Sequence, residues 1–378
     1  WFGPPEGAPA GEVLCTSAWV YALAAPFPTL VDDIQLVDLI AYWKGEHDGQ
    51  LKDLSQIYIP NSLVGILDVR WGSYVPANIT VYGDFPEVES LWSENAWAIL
   101  PFDALSPQLK VIRLDGVSPL YKDYNPELDP LAIKYQLVKR VDPSPKIDPD
   151  QLQPLISAIR LNNRETNKLT TLVMTGVTAL VRATAYKMEI HGMHYPAEKI
   201  AHWLTEADLT HISNEVSFYE DCPFPDPNST MLLFCSHPKY IALFKTIGAD
   251  IIELTGNHIM DVQYVYGKDV IPFTLDLYHQ FGMQYYGGGL NLADATAPLQ
   301  ITHNETQLAF LGCNAPGPDF AWATEDQPGA APCDDYQWMV DAVQKLTDQG
   351  YLPVVTLQYY EDYYNYPGVH HKRDFSLL

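Results

Sequence analysis

The clearest pattern of apolar and polar residues lies between Ile251 and Pro298. Its first run, Ile251 to Leu254, predicts a strand, and a polar turn with Asn257 and His258 follows. A helical spacing comes next and stops at Gly282, a residue suited to a helix end. An aromatic run then predicts a second strand, so the whole stretch reads as a βαβ unit, whose ligands bind at the carboxyl ends of strands. Alternatively, Asn257 and His258 only cap the next helix.

The same periodicities predict a mixed α/β chain. Upstream, we expect a strand and then a helix or turn over Val13 to Ala25, and an amphipathic helix over Leu30 to Tyr42. Short strands are predicted at Ile57–Ile59, Leu63–Val69, Ala96–Pro101 and Val111–Leu114. Downstream strands are predicted after Leu169 and at Leu308–Gly312 and Pro353–Leu357, and helices at Tyr240–Gly248 and Tyr336–Leu346.

Length and proline placement divide the chain. At 378 residues, it is longer than one ordinary domain, so we expect two. Residues 141–168 begin with a Pro- and Asp-rich run that cannot continue a helix or a central strand, and they predict a linker. The predicted domains are therefore a smaller α/β domain at 1–140 and a second domain at 169–378.

Charge and composition exclude some partners. The net charge of -25 argues against nucleic acid or an anionic membrane as partner. No run is apolar and long enough for a transmembrane segment. The 24 Tyr, 9 Trp and 30 Pro suit a secreted protein with ordered loops, or intersubunit contacts and self-association. Because the chain starts at Trp1 instead of Met, we expect a signal peptide to be missing.

The five cysteines are placed unevenly. Cys222 and Cys235 bracket one Pro-rich loop, and Cys313 and Cys333 bracket another. Since neither loop has internal periodicity, each would be stabilised by a covalent closure. We predict two disulfides and hence an oxidising compartment, extracellular or at the cell surface. Four reduced thiols are the alternative, and Cys15 remains unpaired either way.

The second domain resembles the CapA-type family of poly-gamma-glutamate capsule biosynthesis. The family has an Asn-Asn-His-x-x-x-Asp-like loop, a helix, and a Gly-rich turn followed by Asn, Ala and Pro. The matching residues here are Asn257, His258, Asp261, Gly287, Gly288, Gly289, Asn291, Ala295 and Pro298. The resemblance implies a metallophosphatase-like β-sandwich flanked by helices, with metal ligands on loops at strand ends.

The resemblance also implies a set of site residues. Asn214, Glu215, Asn257 and His258 are the expected metal ligands, and His258, Asp261 and Glu361 the expected catalytic residues. We expect Asn257 and His258 to line one cleft with Glu215 and Glu361. A carboxylate at a strand end can bind metal or act in acid/base catalysis, although a turn cap is an equal alternative for Asn214 and Glu215.

Two expected ligands are replaced. Where the family has Gly-Asp, the residue after Gly176 is Val177, and where it has His, this chain has Gln358. A later His-containing loop of the family would follow Leu378, so we expect the domain to be C-terminally incomplete. An apolar side chain cannot bind a cation, and a dinuclear centre needs bridging carboxylate and imidazoles. At most, the resemblance implies a single divalent metal ion as cofactor.

Two classes of function remain. The first is a structural or envelope- and capsule-associated protein with a degenerate metal site, self-associating or bound to envelope components. The second is a metal-dependent hydrolase or transferase acting on a phosphate ester or a poly-gamma-glutamate polymer. The replacements at Val177 and Gln358 favour the first and weigh against an enzyme.

The first domain is similar, over short runs, to phosphate-type periplasmic substrate-binding proteins. The runs are Trp19–Ala22, Pro26–Phe27, Trp43–Gly45 and Trp97–Asp103. In such proteins a helix N-terminus binds the anion. Because no Ser/Thr-Gly-rich anion loop is evident, we expect this domain to be a packing scaffold.

Overall fold

A computed structural model describes residues 1–46, 49–84, 88–141 and 149–359. The chain folds into two compact units, Trp1–Asn167 and Lys168–Leu378. Both are mixed α/β. In the described ranges, no helix has the length and apolar character needed to cross a membrane.

The first unit is built on one long strand, β2, which pairs with several neighbours in a mixed sheet. Its strands are β1 (Phe2–Gly3), β2 (Gly11–Pro26), β3 (Asp33–Ile34), β4 (Ile57–Pro60), β5 (Ile79–Tyr82), β6 (Trp97–Pro101), β7 (Leu109–Leu114) and β8 (Ala132–Arg140). Its helices are α1 (Leu36–Trp43), α2 (Asn61–Trp71), α3 (Val88–Glu94) and α4 (Pro149–Ala158). The core forms where α1 and α2 pack their apolar faces against the sheet.

Three predictions for the first unit are wrong. Leu63–Val69 is part of helix α2, because Leu63, Leu67 and Trp71 recur at helical spacing and are all buried. Val13 to Ala25 is one continuous strand within β2. In the Pro-rich run, α4 carries Pro154 inside it, so the proline did not exclude a helix there. The proposed boundaries at 140 and 168 remain predictions.

In its described part, the second unit has a four-stranded sheet, a three-stranded sheet and a two-stranded sheet, with helices outside the two larger ones. Its strands are β9 (Leu172–Thr178), β10 (Leu209–Asn214), β11 (Ile251–Glu253), β12 (Gln284–Tyr286), β13 (Gly288–Gly289), β14 (Leu299–His303), β15 (Thr306–Asn314), β16 (Gly329–Ala330) and β17 (Leu352–Gln358). Its helices are α5 (Arg182–His191), α6 (Ala201–Thr205), α7 (Ile241–Thr246), α8 (Asp261–Tyr266), α9 (Ile271–Gln280), α10 (Leu292–Ala295) and α11 (Gln337–Asp348).

Among the described strands, four parallel ones form one sheet in the order β12-β11-β10-β9. A second sheet has the order β14-β15-β17. Apolar residues from both sheets share one cluster that includes Ile251, Tyr286 and Phe310. A second cluster packs α7, α9 and their neighbours against the four-stranded sheet, while α11 packs near β15. The layers are therefore helix, sheet, sheet and helix, as the family resemblance implies for this domain.

Two disulfides close the Pro-rich loops. Cys222 is bonded to Cys235, and Cys313 is bonded to Cys333, which are the pairs that the sequence predicts. The second disulfide is buried within an apolar cluster beside Met339, whereas the first closes a largely exposed loop. Cys15 is a free thiol.

Candidate functional site

The carboxyl ends of the strands from both sheets meet at one edge of the sandwich. Three hydrogen bonds link neighbouring segments there, one from the residue that follows β10 and one each from the last residues of β15 and β17. These bonds run from Glu215 N to Thr178 O (3.1 Å), from Asn314 Nδ2 to Thr255 O (2.8 Å) and from Gln358 Nε2 to Asn257 Oδ1 (3.1 Å). The edge therefore collects side chains from strands that are far apart in sequence, as expected for an α/β site.

His258, which is half-buried, and Asp261, which is buried, form a pair at this edge. His258 Nδ1 lies 2.7 Å from Asp261 Oδ2, and Asp261 is 1% exposed. The same carboxylate oxygen accepts the Phe234 amide at 2.7 Å, and the Phe234 ring lies 4.5 Å from the imidazole. A carboxylate that holds one imidazole nitrogen fixes the orientation of the ring and leaves Nε2 for a ligand or a proton.

Asn214 ends β10 and points into the interior. Its Nδ2 donates to Val216 O at 2.9 Å and to the Tyr278 hydroxyl at 2.5 Å. Burial raises the pKa of Tyr278, so this phenol stays neutral. Asn214 Oδ1 is buried and has no hydrogen-bond partner within the described ranges. The amide group thus serves the packing of β10 against α9, and only its oxygen remains for another donor or a cation.

Glu215 is held next to the loop that carries His258. Val216 and His258 form an isolated parallel bridge. A Cβ on Gly256 would lie 2.4 Å from the Glu215 Cα, so only glycine allows the two backbones this close approach. The turn Gly256-Asn257-His258 is consequently fixed against the Glu215 backbone, and both predicted motifs lie side by side.

The two replaced positions lie on this edge as well. Val177 pairs with Ser213 near the end of β9, and its side chain is 57% exposed. Gln358 ends β17, and its amide donates to the Asn257 oxygen. Glu361 lies outside the described residues, so its place in the predicted cleft stays a prediction.

Sequence reasoning missed two residues that shape the site. Asn314 is completely buried and is also bonded, through its Oδ1, to the Gly317 amide and the Trp322 indole. Its position directly after an apolar strand was the available signal. Phe234 is contributed by the disulfide-closed loop, and nothing in its local sequence indicates a contact with His258.

A two-metal centre does not fit the donors in the described part of the edge. His258 offers one imidazole nitrogen, Asp261 is already bonded to His258 and Phe234, and Asn257 Oδ1 accepts from Gln358. No group of three His, Cys, Asp or Glu side chains that could hold a metal occurs among the residues that the structure describes. Paired metals require a bridging carboxylate and several imidazoles, which these residues do not supply.

The second unit matches a known protein family. Residues 171–375 match the family model PGA_cap, bacterial capsule synthesis protein. The match covers more than half of the chain and includes every predicted site residue. No curated protein matches the chain in sequence.

Solved structures with similarity to the chain include two phosphate receptors. One is a putative phosphate ABC transporter substrate-binding protein with bound phosphate from Clostridium perfringens, with 14% identity, a TM-score of 0.27, and coverage of 36% of this chain and 60% of that chain. The other is an ABC-type phosphate transport receptor from Vibrio cholerae, with 12% identity, a TM-score of 0.30, and coverage of 39% and 67% respectively.

Proposed function

Since the chain belongs to the bacterial capsule synthesis protein family, we propose that it is a secreted, capsule-associated protein of the cell surface whose metal site is degenerate. Its role is then structural, through self-association or contacts with envelope components. The proposal of a degenerate site depends on the replacements at Val177 and Gln358, and the proposal of a cell-surface compartment depends on the disulfides.

The observation that carries the proposal is the hydrogen bond from Gln358 to Asn257. The amide nitrogen of Gln358 is a donor and cannot ligate a cation. By donating to Asn257 Oδ1 at 3.1 Å, it also engages one of the two lone pairs that this oxygen would offer to a metal. One substitution therefore removes an imidazole and engages a second ligand, while Val177 provides no donor at all.

Two disulfides support the proposed compartment. Cys222–Cys235 and Cys313–Cys333 are both formed, and such bonds persist mainly in oxidising environments. The capsule family supports the same location, since a capsule is assembled at the cell surface. The acidic chain, at -25, suits a partner that is neutral or basic.

The pair His258–Asp261 favours a second candidate, a metal-dependent hydrolase or transferase acting on a phosphate ester or poly-gamma-glutamate. A histidine oriented by a buried carboxylate can hold a metal through Nε2 or transfer a proton there. Asp261 is 1% exposed and its oxygen lies 2.7 Å from His258, so the pair is well defined. This candidate needs the remaining ligands to be supplied by a different set of residues.

Hydrolysis of an aryl phosphate with added manganese or zinc separates the two candidates. We expect no metal-dependent turnover by the natural chain and a gain in the double variant Val177→Asp, Gln358→His, because the variant restores a carboxylate and an imidazole. The matched control is Leu352→Asp with Gln349→His, which places the same groups at the start of β17 and just after α11, away from the site edge. Robust metal-dependent turnover by the natural chain, unchanged in the site variant, would establish the enzyme instead.

A further inference from the structure

A groove of about 240 Å³ lies in the second unit, beside the end of α9, β12 and the turn that leads from α10 into β14. Its lining includes the rings of His279 and Tyr285, the Gln284 amide and the Asp294 carboxylate. None of the described residues that line it is a lysine or an arginine. The groove therefore offers a negative charge that no basic side chain of its own lining neutralises.

Asp294 is held in this groove by one of its two carboxylate oxygens. Its Oδ2 accepts the Tyr285 hydroxyl at 3.1 Å and the Leu290 amide at 2.8 Å. Burial and the Asp294 charge raise the pKa of Tyr285 to about 12, so the phenol keeps the proton that it donates. A Cβ on Gly289 would lie 2.3 Å from the same Oδ2, so a side chain there would push the carboxylate out of place.

The second oxygen of Asp294 is unused. Oδ1 makes no hydrogen bond within the described ranges, and it is not among their enclosed unpartnered atoms, so it stays accessible. An ionised carboxylate only accepts hydrogen bonds, so its ligand must be a donor. The nearest backbone amides do not attract an anion instead, because the Leu290 amide donates to Asp294 and the Asp294 amide donates to Asn291 Oδ1 at 3.0 Å.

Two features favour a cationic donor over a neutral one. The rings of Tyr285 and His279 are neighbours, with centroids 5.6 Å apart, and the face of a tyrosine ring attracts cations. The chain as a whole has a net charge of -25, which favours the approach of cations and disfavours that of anions. Ala297, Pro298 and Leu299 complete the lining and suit a short hydrocarbon chain.

We propose that this groove binds an alkylammonium ion, with the ammonium group on Asp294 Oδ1 beside the Tyr285 ring and the hydrocarbon chain along Ala297. A metal ion is not the expected ligand, because the described residues contain no group of three His, Cys, Asp or Glu side chains that could hold one. The inference is independent of the proposed function, since the groove contains none of the predicted metal-site residues.

Ligand-observed NMR titrations with n-butylammonium chloride and with butan-1-ol, at fixed ionic strength, test the proposal. The ammonium ion is expected to bind the natural chain about tenfold more tightly than the alcohol, because an ion pair and a cation–π contact add to the same hydrocarbon contacts. Asp294→Asn keeps an oxygen for the Leu290 amide and removes the charge, so it should remove this preference. Asp341→Asn is the matched control, because it removes an exposed carboxylate from α11 and should leave the preference unchanged.

A second variant separates the groove from a general attraction of cations to an acidic protein. Ala297 is exposed and lines the groove, so Ala297→Phe fills the groove, keeps every carboxylate and should abolish the preference. Equal affinity of the natural chain for the two probes would overturn the proposal, as would no saturable binding of the ammonium ion. An unchanged preference in folded Asp294→Asn or Ala297→Phe protein would overturn it too.

Discussion

The strands of the second unit differ sharply between their middles and their carboxyl ends. In the middle, Phe310 and His211 are almost completely buried, and their rings stack against each other. At the ends, Val177 is 57% exposed and Gln358 is bonded to a neighbouring amide. The middles form the core between the sheets, whereas two of the ends carry residues other than the ligands that the family resemblance implies. Fold and chemistry can therefore diverge within the same strands.

The largest contrast is expected in stability. Phe310 is 0% exposed and its ring lies 5.6 Å from that of Tyr286, so Phe310→Ala should lower the free energy of unfolding by about 3–5 kcal/mol. Val177→Ala removes exposed methyl groups at the site edge and should change the free energy of unfolding by less than about 0.5 kcal/mol.

Hydrogen exchange of the peptides that cover Thr306–Asn314 measures this difference locally. A local measurement is needed because a chain of two units need not unfold in one step. Similar opening free energies for the two variants would mean that the strand middles and ends do not differ as described.

The protein should also lose stability in acid through one buried group of the strand middles. Burial lowers the pKa of His211 from 6.5 to about 4, and its Nε2 lies 2.7 Å from the Tyr286 hydroxyl. Below pH 6.5, His211 is protonated in the unfolded chain, whereas in the folded chain it stays neutral down to about pH 4. The stabilisation is complete above pH 6.5 and falls by on the order of 3 kcal/mol as the pH drops to about 4.

This loss can be measured by mass spectrometry of the β10 peptides between pH 7 and pH 4. The quantity to follow is the urea concentration at which these peptides are half unfolded. His211→Phe keeps a ring beside Phe310 and should flatten the profile. The control His202→Gln removes an exposed imidazole and should leave the profile steep. An equally steep profile in His211→Phe would assign the acid sensitivity to other groups.

The same contrast explains what the sequence could predict. The strands Ile251–Leu254, Leu308–Gly312 and Pro353–Leu357 were found within a few residues of their observed bounds, because runs of buried apolar residues carry a strong local signal. The disulfide pairs followed from the loops between the cysteines.

Other features depend on contacts between distant segments. The pairing of Gly288–Gly289 with Gly329–Ala330 has no local signal, and neither does the approach of Phe234 to His258. The short apolar run Leu63–Val69 fits the periodicity of a strand as well as that of a helix. Only the packing of its helical face decides between the two. The sequence predicts that the motifs at Glu215 and His258 lie in one cleft, but it does not predict the hydrogen bond from Gln358 to Asn257.

Metal content measures the proposed loss of the site most directly. The natural chain, purified and equilibrated with micromolar manganese or zinc and then dialysed, should retain far less than one ion per molecule by elemental analysis. The double variant Val177→Asp, Gln358→His should retain clearly more, because it frees Asn257 Oδ1 and adds a carboxylate. Stoichiometric metal in the natural chain, with no gain in the variant, would contradict a degenerate site.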